Sequence, residues 1–100
     1  MGAKFMAMYQ ILYWQEIPSM VEARDQNGVK KIQLNHKFQG LIDEAAMRRK
    51  FAGTDAYLEE WNKGPKTEAD GDADTVAQSI SDEIEARFDE IRDKALEKTD

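Results

Sequence analysis

The chain has no cysteine. That excludes a disulfide scaffold, thiolate catalysis, and zinc or iron–sulfur centres held by cysteine. Histidine occurs once, as His36. It falls at the start of a predicted helix, where the positive end of the dipole disfavours imidazolium, and reads as a solvated side chain rather than a general base. There is no glycine-rich phosphate loop. Asp70-Gly71-Asp72-Ala73-Asp74 lacks the spacing and the terminal glutamate of an EF-hand loop. Ser19 follows Pro18 in a predicted loop with no activating base implied, so nucleophilic catalysis has no candidate. The longest apolar run, Phe5–Trp14, is too short to span a membrane. Only Lys4 precedes it and no small-residue cleavage site follows, so a signal peptide is not expected.

What is present is one small domain. One hundred residues, 41% apolar and 34% charged, read as a single soluble globular unit with its core between about residues 4 and 96. The net charge of −6 is uneven: residues 1–65 carry nine basic and eight acidic side chains, residues 66–100 five and twelve. An acidic C-terminal third repels phosphate backbones and anionic lipid, so neither nucleic acid nor a membrane is expected as a partner. Arg48-Arg49-Lys50 reads as a helix C-terminus, where cations offset the macrodipole. The expected location is cytoplasmic, with no cofactor.

Phe5–Trp14 organises the rest. Alternation puts Phe5, Ala7, Tyr9, Ile11 and Tyr13 on one side and Met6, Met8, Gln10, Leu12 and Trp14 on the other. Both sides are mostly apolar, which predicts a central strand covered on both faces, by a loop or by a partner. This strand is expected from about Lys4 to Trp14. Pro18 should interrupt it, leaving Gln15–Ser19 as a connection, because proline lacks the N–H a ladder needs. Met20–Asp25 and Val29–Leu34 read as a hairpin around a type I′ turn at Asn27-Gly28. A helix capped by Asn35 buries Phe38, Leu41, Ile42, Ala45 and Ala46, and Gly53 is its stop signal.

Thr54–Thr67 satisfies two periods at once: Tyr57, Leu58 and Trp61 fit a helical turn, while Tyr57, Glu59 and Trp61 alternate. The reading adopted is extended, because the sheet then gains an edge partner. Glu68–Asp74 reads as a polar turn. Asp72 or Asp74 should cap a long final helix with the stripe Val76, Ile80, Ile84, Phe88, Ile91 and Ala95. Its carboxylates, among them Asp82, Glu85 and Asp89, alternate with Arg87, Arg92 and Lys94 and read as a solvated charged face rather than metal ligands. The five methionines read as core filler. The predicted order is β-β-β-α-β-α. The fold class is α+β, with a three- to four-stranded, mainly antiparallel sheet and two helices on one face.

With no catalytic constellation in the sequence, the aromatic residues are the remaining functional signal. Trp14, Ile17 and Pro18 are expected near Tyr57 and Trp61, where two readings compete: rings that complete the small core, or a partly exposed patch at two strand ends. Exposed Trp and Tyr are enriched in binding hot spots.

Tyr13-Trp14-Gln15-Glu16-Ile17-Pro18, Phe38 with Ile42-Asp43 and Ala45-Ala46-Met47, and Gly53–Trp61 together resemble the small bacterial family labelled "virulence factor". The resemblance runs from about Tyr9 to Phe88, and Gly53–Trp61 is its most specific part. It implies a phenotype without a biochemical activity, so no catalytic residue carries over. Members resembling this chain occur as free-standing domains, often encoded beside one-carbon and corrinoid methyl-transfer enzymes. Two functions are therefore expected to compete. The first is a non-enzymatic accessory domain that binds an unidentified protein partner, with homo-oligomerisation open. The second is a small-molecule or cofactor-binding accessory protein of folate or corrinoid metabolism. An independent hydrolase ranks below both.

Overall fold

In the computed structural model, which describes residues 5–97, the apolar run becomes β1 (Met6–Trp14), hydrogen-bonded along both edges. The expected extension to Lys4 lies outside the described residues. β2 (Ile17–Asp25) pairs with one edge and β3 (Gly28–Gln33) continues beyond it. Then come α1 (His36–Arg48), the short α2 (Asp55–Glu59), β4 (Trp61–Lys63), β5 (Thr67–Asp70), α3 (Ala73–Ala86) and α4 (Phe88–Glu97). Every pairing is antiparallel, in the order β3-β2-β1-β4, with β5 beside β4 on the same edge of β1. The fold is thus α+β with an antiparallel sheet, as the sequence predicts, but with five strands and four helices among the described residues.

Several local expectations need correction. Pro18 does not end the ladder. Trp14 pairs with Ile17 across a two-residue turn, and Pro18 lies inside β2 opposite Tyr13. A register shift between Leu12 and Tyr13 leaves Ser19 as the extra residue of a bulge. β3 pairs with β2 only from Met20 onward, so the missing proline N–H falls at a strand end beside a bulge, where proline is tolerated. The next hairpin turn uses Gln26 and Asn27, one residue earlier than expected, because Asp25 Oδ1 accepts from the backbone N–H of Asn27 (2.7 Å) and Gly28 (3.0 Å). Gly28 alone keeps a positive φ there, 156°. Thr54–Thr67 is helix and then strand: α2 precedes β4, so the wholly extended reading fails over Asp55–Glu59. Glu68–Asp70, expected as a turn, belongs to β5, which pairs with β1.

α1 follows the sequence at its start. Asn35 accepts from Lys37 N–H at 3.0 Å, and all five predicted apolar residues are buried. Its end differs. Lys50 takes the left-handed position that caps the helix, with φ of 66°, while Gly53, also at positive φ (76°), lies in the turn beyond it. Phe51 N–H donates to Ala46 O (2.8 Å) and Lys50 N–H to Met47 O (3.2 Å), which is the Schellman pattern. The expected single final helix is interrupted at Arg87, where φ/ψ of −102°/15° separates α3 from α4. Asp72 caps α3 by accepting from Thr75 N–H at 2.8 Å.

Two clusters form the core. In the first, Ala7, Val21 and Ala23 of the sheet meet Ala73, Val76 and Ala77 of α3, with Leu34 and Phe38. Burying such side chains contributes about 25 cal/mol per Å² of apolar surface. In the second, Trp14 and Ile17 of the β1–β2 hairpin meet Leu41, Ile42, Ala45 and Ala46 of α1 and Ala95 of α4. Phe88 and Ile91 pack against both. Phe88 meets Phe38 edge-on at 5.0 Å, so the predicted stripe on the final segment does face the core.

Candidate functional site

The β1–β2 hairpin tip sits between α1, α2 and α4, and the predicted site residues gather there. Trp14 faces Trp61 across the β1–β4 ladder. Tyr57 lies over Trp14 at 5.5 Å, and Trp61 meets Tyr57 edge-on at 6.2 Å. Phe51, which the sequence reading missed, packs edge-on against Trp14 at 5.6 Å. The Schellman turn delivers it, since Phe51 is the residue just past the left-handed Lys50. Indole Nε1 of Trp14 donates to Tyr57 O at 2.9 Å, and Gln15 N–H donates to Glu60 O at 3.0 Å. These bonds fix α2, a helix too short to be stable alone.

For three of the five residues the core reading holds and the exposed patch is corrected. Trp14 and Ile17 are 0% exposed, and Pro18 is buried. An apolar run with an indole donor satisfied at a backbone carbonyl is energetically at home in the core. Tyr57 and Trp61 are half-buried, and Leu58 between them is 67% exposed. The five residues therefore form a buried base of three and a surface rim of two.

Arg49 locks this tip to both helices. Its guanidinium donates to Glu16 Oε1 (2.9 Å) and Oε2 (2.7 Å), to Gln15 Oε1, and to Ala95 O of α4 (2.8 Å). The side chain is 11% exposed. The Glu16 carboxylate holds the guanidinium pKa above its ordinary value against the opposing effect of burial. Helix-end cations were the sequence reading of Arg48-Arg49-Lys50. Arg48 fits it and pairs with Glu44 at 2.7 Å, while Arg49 serves as a tertiary clasp.

A second surface is the sheet face opposite α3. The register places Met6, Met8, Gln10 and Leu12 of β1 on it, beside Met20, Glu22 and Arg24 of β2. Met6 and Met8 are 38% and 39% exposed, and Met47 on α1 is 70% exposed, so these methionines are not core filler. Met1 lies outside the described residues. Over β1, Met8, Gln10, Glu22, Arg24, Lys63 and Lys66 line a hollow of about 380 Å³. Glu22 accepts from Lys63 at 3.4 Å across β1 and lies 3.9 Å from Arg24.

The chemistry-bearing side chains are occupied in structure. Ser19 Oγ accepts from Gln33 Nε2 at 3.3 Å inside the bulge. Glu85 Oε2 accepts from Asn35 N–H at 3.0 Å, Asp82 accepts from Gln78, and Asp89 pairs with Arg92. His36 is exposed at the start of α1. Among the described residues, no three of histidine, aspartate and glutamate converge as on a metal ion, and no helix is long and apolar enough to cross a membrane. A family model described as Virulence factor matches residues 12–96. No curated protein and no solved structure matches the chain.

Proposed function

The chain belongs to the virulence factor family, and we propose that it serves there as a non-enzymatic accessory domain that binds a protein partner through its α2–β4 corner. One observation carries the reading. Tyr57 and Trp61 are only partly buried beside a 67% exposed Leu58, on a base fixed by the Trp14–Tyr57 hydrogen bond. Rigid, partly exposed rings cost little conformational entropy on binding and are the residue types enriched in hot spots. A cytoplasmic setting fits a chain without cysteine and belongs to the same reading.

Affinity capture from native extract tests it with two variants. Leu58→Ser and Trp61→Ala should each remove a stoichiometric partner that wild type retains, and Leu58→Ser should leave the melting temperature unchanged. Identical capture by wild type and both variants would refute the proposal.

A further inference from the structure

The sheet face opposite α3 is polarised along the strands. At one end lie Met6 and Asp70, then Met8 with Arg24 and Glu68. Toward the other end come Gln10 with Glu22, then Leu12 with Lys63. Lys66 lines the same hollow beside Gln10. Acids thus stand at the Met6 end of the β4/β5 column and bases at its Leu12 end. β1 carries methionine or leucine at three of its four positions on this face, two of them more than a third exposed.

We propose that a second copy of this chain covers this face, through a two-fold axis perpendicular to the strands that passes between Met8 and Gln10. Such an axis keeps each strand column over itself and reverses the rows. Glu68 then faces the second copy's Lys66, and Asp70 faces its Lys63. Arg24 faces its Glu22, and Met6 faces its Leu12. Each contact occurs twice, as an isologous interface requires. Long side chains on both faces suit the roughly 10 Å spacing of stacked sheets. Glu22 already pairs with Lys63 and Arg24 in its own chain, so the dimer extends that network rather than burying an unpaired carboxylate.

The area sets the expected strength. Four strand columns about 4.8 Å apart, each about seven residues long, cover roughly 450 Å² of flat surface per protomer. Side chains standing off the pleat bring the total to on the order of 1,000 Å², the lower end of specific interfaces. A reversible dimer, weakened by salt, is the expected species. It also explains why β1 is apolar on both sides: α3 covers one face and the second copy the other.

Sedimentation velocity across roughly 5–500 µM protein reads this directly, because self-association is concentration-dependent. Wild type should shift from monomer to dimer. Lys66→Glu and Glu68→Lys, both at exposed positions, should each raise the dissociation constant by about tenfold or more. An equimolar mixture of the two variants should recover the dimer, because every Glu68–Lys66 contact regains opposite charges, and the double variant should recover it as well. Circular dichroism of each single variant should match wild type, which separates lost pairing from lost fold. A wild-type chain that stays monomeric throughout overturns the proposal. So does a dimer indifferent to both reversals, or single variants that the mixture fails to rescue.

Discussion

Lys50 occupies a left-handed backbone position with φ of 66°. An L-residue there costs about 1–2 kcal/mol through its Cβ, and glycine avoids that cost. Glycine returns about 0.5–1 kcal/mol through its larger unfolded-state entropy. Lys50→Gly should therefore stabilise the fold by about 0.5–1 kcal/mol, although one exposed cation near the helix end is lost. For a domain of this size that raises the melting temperature by about 2–8 °C. Lys50→Ala is the control, since it removes the same charge and keeps the Cβ. The position also matters to the aromatic pile, because the turn carries Phe51 onto Trp14. The assay is thermal unfolding followed by circular dichroism, with near-ultraviolet ellipticity reporting the rings. Lys50→Gly should melt highest of the three with unchanged ring signals. If it melts at or below Lys50→Ala, the capping argument is wrong.

Trp14→Ala should cost about 3–5 kcal/mol, as expected for a buried large aromatic, and a loss below about 1 kcal/mol in denaturant titration would mean the ring is not core. Gly28→Val meets no atom within 4 Å but must hold φ of 156°, so it should destabilise by about 1 kcal/mol or more on conformational grounds alone, and a wild-type melting temperature would contradict that. The carboxyl pKa of Asp25 is lowered chiefly by the Ala73 N–H, and that of Asp72 by the Thr75 N–H. Both are depressed in the folded state, so their contribution is full above the unfolded pKa near ~3.9 and is lost as pH falls through the folded value. The melting temperature should hold above about pH 5 and fall below about pH 4. Asp25→Asn should flatten that acid limb, and an unaltered limb would remove Asp25 from the account.

Where sequence period and burial agree, the structure was legible. Phe38 through Ala46 and the stripe from Val76 to Ala95 both face the core because a helical stripe has no better place to go. The Thr54–Thr67 segment was not, since helical and extended spacing overlap at Tyr57 and Trp61. A tertiary bond decides it: Trp14 Nε1–H reaches Tyr57 O and holds α2 ahead of β4. β5 escaped notice because Thr67–Asp70 is polar on a sheet edge, held by its ladder to β1 rather than by burial. Lys50 carries no sequence signal of a left-handed residue. The aromatic site was legible as a neighbourhood but not as a burial pattern. Its base depends on α1 and α4 closing over the hairpin tip through Arg49, a long-range clasp that no local spacing reveals.

The central claim is that the aromatic cluster has a sealed base and a reachable rim. Iodide quenching of tryptophan fluorescence tests it, using Trp61→Phe to isolate Trp14 and Trp14→Phe to isolate Trp61. Trp14 should emit to the blue and resist quenching, whereas Trp61 should emit further to the red and be quenched, in variants whose circular dichroism matches wild type. Two equally protected indoles would leave the corner without an accessible ring and contradict the account, and a readily quenched Trp14 would contradict its base.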